Sequence, residues 1–168
     1  QEMVVFVTRQ DLLRRRAKAL LAFEQENIMR NSPKEKQEKR IKQWRAYYGT
    51  LMPLMYGRFL GLLGVLRKTI AFIISLFRPA PLYMSECDMR VVVHKSCGLT
   101  AQTFMIAMAE QGYDTCPMEG FDSRRVKRIL HLSCGAQVNL IVACGIRAAD
   151  GIWGDRIRLP FEEIYRAI

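Results

Sequence analysis

Two short stretches hold residues that could do chemistry together. The first is "DTCPMEGFDS", Asp114 to Ser123. Pro117 fixes one backbone dihedral and removes a donor. Gly120 lets the backbone come close to something flat or bulky. The N–H groups around Glu119 and Gly120 can then face an acceptor. A planar heterocycle with ring nitrogens and carbonyl oxygens suits such an edge. The second stretch is "RIRLP", in which Arg156 and Arg158 stand two apart. On an extended strand they share a face, and two guanidiniums there make a phosphate clamp. Each stretch also has a plain structural explanation. The first can be a strand–turn–helix junction with Asp122 as N-cap, the second an edge strand kept soluble by charge. On local pattern alone the plain explanations carry more weight.

Other reactive residue types offer less. Cys87, Cys97, Cys116, Cys134 and Cys144 form no Cys-x-x-Cys pair, so no metal site is expected. They read as reduced, mostly packed thiols of a cytoplasmic protein. His94 and His131 are far apart and read as structural or exposed.

The elements that must position these residues follow from periodicity. "MVVFV", Met3 to Val7, is a buried-type strand that would need neighbours on both sides. An upstream part of the domain is therefore expected to be absent. A helix follows to about Arg30, with Leu12, Leu13, Leu20, Leu21 and Ile28 on its apolar side. "NSPKE" predicts a capping box from Ser32 to Glu35, then a charged helix to about Tyr48 with Ile41, Trp44 and Tyr48 on one stripe. Met89 to Ser96, "MRVVVHKS", reads as strand or helix start, and its β-branched run favours strand. Leu99 to Gln111 is a buried-type helix ended by Gly112. A short strand ending at Cys116 comes next. A helix capped by Asp122 then turns Val126, Ile129 and Leu130 inward. The strand Val138 to Ile146 follows. Strands at both ends with helices between them predict an α+β layer fold.

The 168 residues carry a net charge of +10. Residues 1–80 hold 16 Lys/Arg against 6 Asp/Glu, so the whole excess lies there, and residues 81–168 are balanced at 10 against 10. Such a split suggests a local cause, an acidic ligand, an anionic surface or a solvated helix face, more than general nucleic-acid binding. The most apolar stretch is Phe59 to Phe77. It approaches the roughly 20 residues of a membrane span, but Arg67 and Lys68 sit at its middle. Two shorter apolar segments around a charged break are expected, serving as pocket cover, subunit contact or membrane-surface element.

The stretch "AQTFMIAMAEQGYDTCPMEGFDSRRVKRIL", then "VNLIVACGIR", then "GDRIRLPFEEI", resembles the C-terminal half of the flavin-dependent nitroreductase family, over about residues 98–168. The opening "EMVVFVTRQDLLRR" resembles the family's inner strand and following helix more weakly. The resemblance implies one nitroreductase-like α+β domain, a mixed central sheet flanked by helices, with a helical and apolar insert at about 31–80. It implies a homodimer with FMN at each subunit interface and NAD(P)H as electron donor. Pro117, Met118, Glu119 and Gly120 would lie along the flavin ring, with the Glu119 and Gly120 N–H groups facing its N5 edge. Arg156 and Arg158 would hold the FMN phosphate. No side chain is nominated as an acid or base, since the cofactor carries the chemistry. The family's N-terminal Arg/Ser cluster and Asn-containing loop are not in this chain, and Arg14, Arg15 and Arg16 follow the first strand and are not that cluster.

The function expected is electron transfer from NAD(P)H to a flat acceptor such as a quinone or nitroaromatic. The alternatives are a degenerate, non-enzymatic flavin binder and a basic membrane-surface or nucleic-acid-binding protein. Nucleic acid is not the expected partner, and membrane contact through 51–77 is the lesser expectation.

Overall fold

The middle of the protein is one strand, β3 (Gln137–Gly145), with β1 (Glu2–Thr8) on one side and β2 (Asp114–Met118) on the other, both antiparallel to it. The structure is a computed structural model and describes residues 1–152, 154–155 and 157–167. A buried-type strand was expected at the start of the chain. Among the described residues β1 is instead an edge strand with one neighbour, half-buried along most of its length.

A tight turn at Gln10–Leu12 leads from β1 into α1 (Leu13–Asn31), and α2 (Lys34–Ala46) folds back beside it. The expected capping box does not form. Ser32 instead ends α1, and its hydroxyl accepts from Arg40 Nη1 at 2.7 Å. Pro33 takes the cap position of α2 without a side-chain bond. Gln37 then secures the corner, donating to the carbonyls of Met29 and Ser32. On α1 the buried residues are Ala17 and Ile28, while Leu20 is exposed.

A π-turn, Tyr47–Leu51, and the short α3 (Met52–Tyr56) lead to α4 (Leu62–Ser75). The charged pair does not break this segment as expected. The helix α4 is continuous because Arg67 is turned into the protein, 3% exposed, where carbonyls receive it. Its Nε donates to Met84 O at 2.9 Å, and its Nη1 to Leu54 O at 2.7 Å and Gly57 O at 3.1 Å. Burial lowers the Arg67 pKa from its ordinary value, with Glu86 opposing the shift.

The stretch Met89–Ser96 is helix, not strand. It belongs to α5 (Glu86–Glu110), whose start is fixed by a capping box between Ser85 and Asp88. Three valines disfavour helix by only about 0.7 kcal/mol each at most, which a good cap and packing on the sheet outweigh. The core sits where α5 crosses β3. Ala101, Leu140 and Val142 are buried there, with Phe6, Phe104 and Met105 around them, and Phe6 meets Phe104 edge-on at 5.7 Å.

Beyond β2 come α6 (Ser123–Ile129) and, near the end, α7 (Phe161–Ile164). Val126 is half-buried as expected, but Ile129 and Leu130 are exposed. No helix among the described residues is long and apolar enough to cross a membrane.

Candidate functional site

The motif Pro117–Gly120 lies where β2 ends. The strand runs two residues further than expected, so Pro117 pairs with Val142 and Met118 with Ile141. Proline is tolerated because β2 is an edge strand, where one N–H faces away from the ladder. Met118 is half-buried, while Glu119 and Gly120 are exposed. The chain then tightens, with Phe121 N donating to Glu119 O at 3.0 Å. Asp122 caps α6, accepting from Arg124 N at 2.9 Å and Arg125 N at 3.1 Å.

Gly120 has no positive φ, and a Cβ placed on it would meet no atom within 4 Å. Among the described residues neither backbone strain nor packing calls for glycine at this position. Outside the strand ladder, the Glu119 and Gly120 N–H groups donate to no acceptor among the described residues. The turn thus presents an open, donor-bearing backbone edge.

One neighbour of this edge was not legible in the sequence. Between Phe6↔Leu140 and Val7↔Val138 the pairing of β1 and β3 slips by one residue, leaving Asn139 as a bulge. The bulge turns Asn139 towards α5, where His94 takes both it and Gln137. The ring Nδ1 lies 2.8 Å from Asn139 Oδ1 and the Nε2 lies 3.0 Å from Gln137 Oε1. Below them, burial pushes the Cys97 thiol pKa up, against a bond to Asn139. A bulge re-aims a side chain, but no sequence signal marks where a one-residue slip falls.

The second candidate group is placed differently. Arg156 lies outside the described residues. Arg158 is exposed in an unpaired segment before α7, and its Nη1 donates to the neighbouring Ile157 O at 2.7 Å. The tail leaves the sheet at Gly145, opposite Asp114, and Arg147 reaches Asp114 there at 3.7 Å. That end is separated from Met118 by about 14 Å of strand. No hydrogen bond or ion pair among the described residues joins Arg158 to Pro117–Gly120.

A second constellation locks the opposite side of the sheet. Arg9 holds Asp11 through both carboxylate oxygens, at 3.0 and 3.2 Å from Nε, and the Ser133 hydroxyl adds a further bond. The Arg9 bond, despite some burial and with help from Ser133, lowers the Asp11 pKa to about 2. Among the described residues no group of His, Cys, Asp or Glu could hold a metal ion.

Comparison with known proteins fits this architecture. The model of the Nitroreductase family matches residues 1–146. The match begins at the first residue and gives no ground for the expected loss of an upstream part. MhqN of Bacillus subtilis, whose name assigns it provisionally to the NAD(P)H nitroreductases, is 41% identical over 69 residues, 41% of this chain and 34% of that protein. The matched stretch thus spans about a third of that relative's length. A nitroreductase family protein of Streptococcus pneumoniae superposes with a TM-score of 0.63 at 19% identity, over 99% of this chain and 64% of the other. YdfN of Bacillus subtilis, provisionally named a nitroreductase, gives 0.61 at 18% identity, over 99% of this chain and 63% of the other. Those two likenesses are of fold. The family match covers most of the chain, and the protein belongs to the Nitroreductase family.

Proposed function

We propose that the protein binds FMN along Pro117–Gly120 and serves as an NAD(P)H-dependent oxidoreductase. Family membership supports this, and the relative MhqN is named for NAD(P)H nitroreduction. The observation that carries the site is Gly120, whose missing side chain nothing among the described residues requires. A flat ring approaching that edge would meet backbone only, with the Glu119 and Gly120 N–H groups available as donors. When bound, FMN would supply the redox chemistry, taking a hydride from NAD(P)H and passing electrons to a flat acceptor such as a quinone or nitroaromatic. The chain's own part is to orient the ring, to donate from the backbone at its edge and to grip the phosphate. Arg156 and Arg158 are assigned that grip. A site shared between two copies does not require both groups to come from one chain.

The homodimer is part of the same proposal, and α4 is its contact. At about 100° per residue, the buried side of α4 holds Gly64, Arg67 and Ala71. Leu62, Val65, Leu66, Phe72, Ile73 and Leu76 point outward, each roughly half exposed or more. Together they show on the order of 600 Å² of apolar surface, at the upper end for a monomer's largest patch. Lys68 stands only at the margin. A face without charge of its own is self-complementary and suits a two-fold contact with a second copy.

The test is the visible spectrum of the protein after adding FMN and removing the excess. Bound flavin is expected, together with turnover of NADH or NADPH in the presence of a quinone. Changing Arg156 and Arg158 to Ala together should weaken FMN binding by tenfold or more, at about 1.4 kcal/mol per decade. Absence of bound flavin overturns the cofactor assignment, and unchanged affinity in the double variant overturns the phosphate grip.

A further inference from the structure

Away from the sheet, the hairpin of α1 and α2 borders an open cleft of about 910 Å³ that no role described above uses. That is within the ~300–1,000 Å³ of ordinary small-molecule sites. Buried Ile28 lies at its base.

One wall is aromatic. Trp44 stacks on Tyr48 with centroids 5.3 Å apart and 18° between the planes, and Tyr47 meets both rings edge-on. None of the three is buried, whereas Ala17 and Ile28 of the hairpin are. The rings therefore line the cleft without closing the hairpin's core. They run directly into the π-turn Tyr47–Leu51, a geometry that is rare and frequent at functional sites.

The facing wall is polar. Asn31 Nδ2 donates to Asn27 Oδ1 at 2.7 Å, and Asn27 Nδ2 to Glu24 Oε2 at 3.4 Å. At the hairpin corner Arg40 uses Nη1 for Ser32, one of the five donors a guanidinium has. Glu24 and Ser32 are eight residues apart, about 12 Å along the helix. The cleft is thus graded, with a carboxylate at one end, amides facing aromatic rings in the middle and a guanidinium at the other.

We propose that this cleft binds a purine nucleoside 5′-monophosphate, with the base on the aromatic wall and the phosphate at Arg40. Aromatic rings take any base by its face. Side-chain amides match the adjacent donor and acceptor of an adenine edge. A guanidinium suits the phosphate, and Glu24 repels it from the other end. A neutral sugar would make no use of the remaining Arg40 donors, and an apolar aromatic would make no use of the amides.

Calorimetric titration of the full chain with AMP, adenosine and ribose 5-phosphate, in saturating FMN so that any flavin site is filled, tests this. The proposal does not rest on flavin binding and is read equally if none occurs. AMP should bind most tightly, and adenosine about tenfold more weakly through loss of the Arg40 contact. Trp44→Leu should lower AMP affinity by about tenfold or more, with far-UV circular dichroism unchanged. Arg40→Gln should bring AMP down to the adenosine level and leave adenosine unaffected. If Trp44→Leu disturbs the hairpin, Asn27→Leu makes the same test from the other wall. No binding at millimolar AMP, or binding indifferent to Trp44, Asn27 and Arg40, overturns the proposal.

Discussion

At the scale of single residues, identity and local role separate cleanly. Asp122 was legible as an N-cap because an acid before a helix has one strong local use, and it bonds two N–H groups there. Glu119 looks like a catalytic acid but is an exposed residue on an open turn, so its backbone is the group of interest. Glu119→Gln should therefore leave flavin affinity unchanged, while Gly120→Val should lower it by about tenfold with an unchanged Tm; both are read by flavin fluorescence titration and thermal unfolding. Asp11 is held by Arg9 and by the Ser133 hydroxyl. Its native pKa of about 2, against an ordinary value of 3.8, means that the ionised form is stabilised by folding. That contribution is complete above about pH 4 and is lost as pH falls towards 2. Denaturant unfolding from pH 7 to pH 2 should show wild type more stable than Asp11→Asn, with the gap closing in that window. A constant gap would mean that Asp11 acts through packing alone.

At the scale of elements, two expectations failed. Three valines in a row argued for a strand at 91–93, and a charged pair argued for a break at Arg67. A local cap and packing on the sheet decided the first, and partners 10 to 17 residues away decided the second. Asp88 closes the cap of α5, and carbonyls of Leu54, Gly57 and Met84 receive Arg67. The close approach of α4 to the start of α5 has its own requirement. A Cβ on Gly64 would lie 2.8 Å from Glu86 N, a backbone atom that cannot swing away. Gly64→Ala should cost about 1–3 kcal/mol, measured by denaturant unfolding, and a neutral result would show that the two helices can part. The outer face of α4 makes the opposite prediction. Leu66→Glu with Ile73→Glu should leave helix content unchanged and shift the protein to a smaller species in light scattering. A wild-type monomer, or a variant that keeps the wild-type mass, would exclude α4 as the contact.

At the scale of the whole molecule, stability is concentrated where α5 crosses β3. Ala101 and Val142 are fully buried there, whereas α2 has no buried residue. Hydrogen exchange should accordingly be slowest for the amides of β3 and the middle of α5, and faster by orders of magnitude in α2. Uniform protection would point to a single cooperative unit including the hairpin. The charge split follows the same division, since the excess of +10 belongs to residues 1–80 and the second half is balanced.

The sequence alone determined the α+β class, the strands at 3–7 and 138–146, a strand-to-helix junction within 114–123 and the cap at Asp122. These depend on period and on neighbours a few residues away. It also carried the family resemblance, since motif order survives without coordinates. Only the tertiary structure decided that β1 has one neighbour among the described residues, that Asn139 bulges onto His94, that Arg67 is buried and that α4 turns its apolar side outward. Each of these depends on which distant group satisfies a hydrogen bond or fills a contact, and no local period records that.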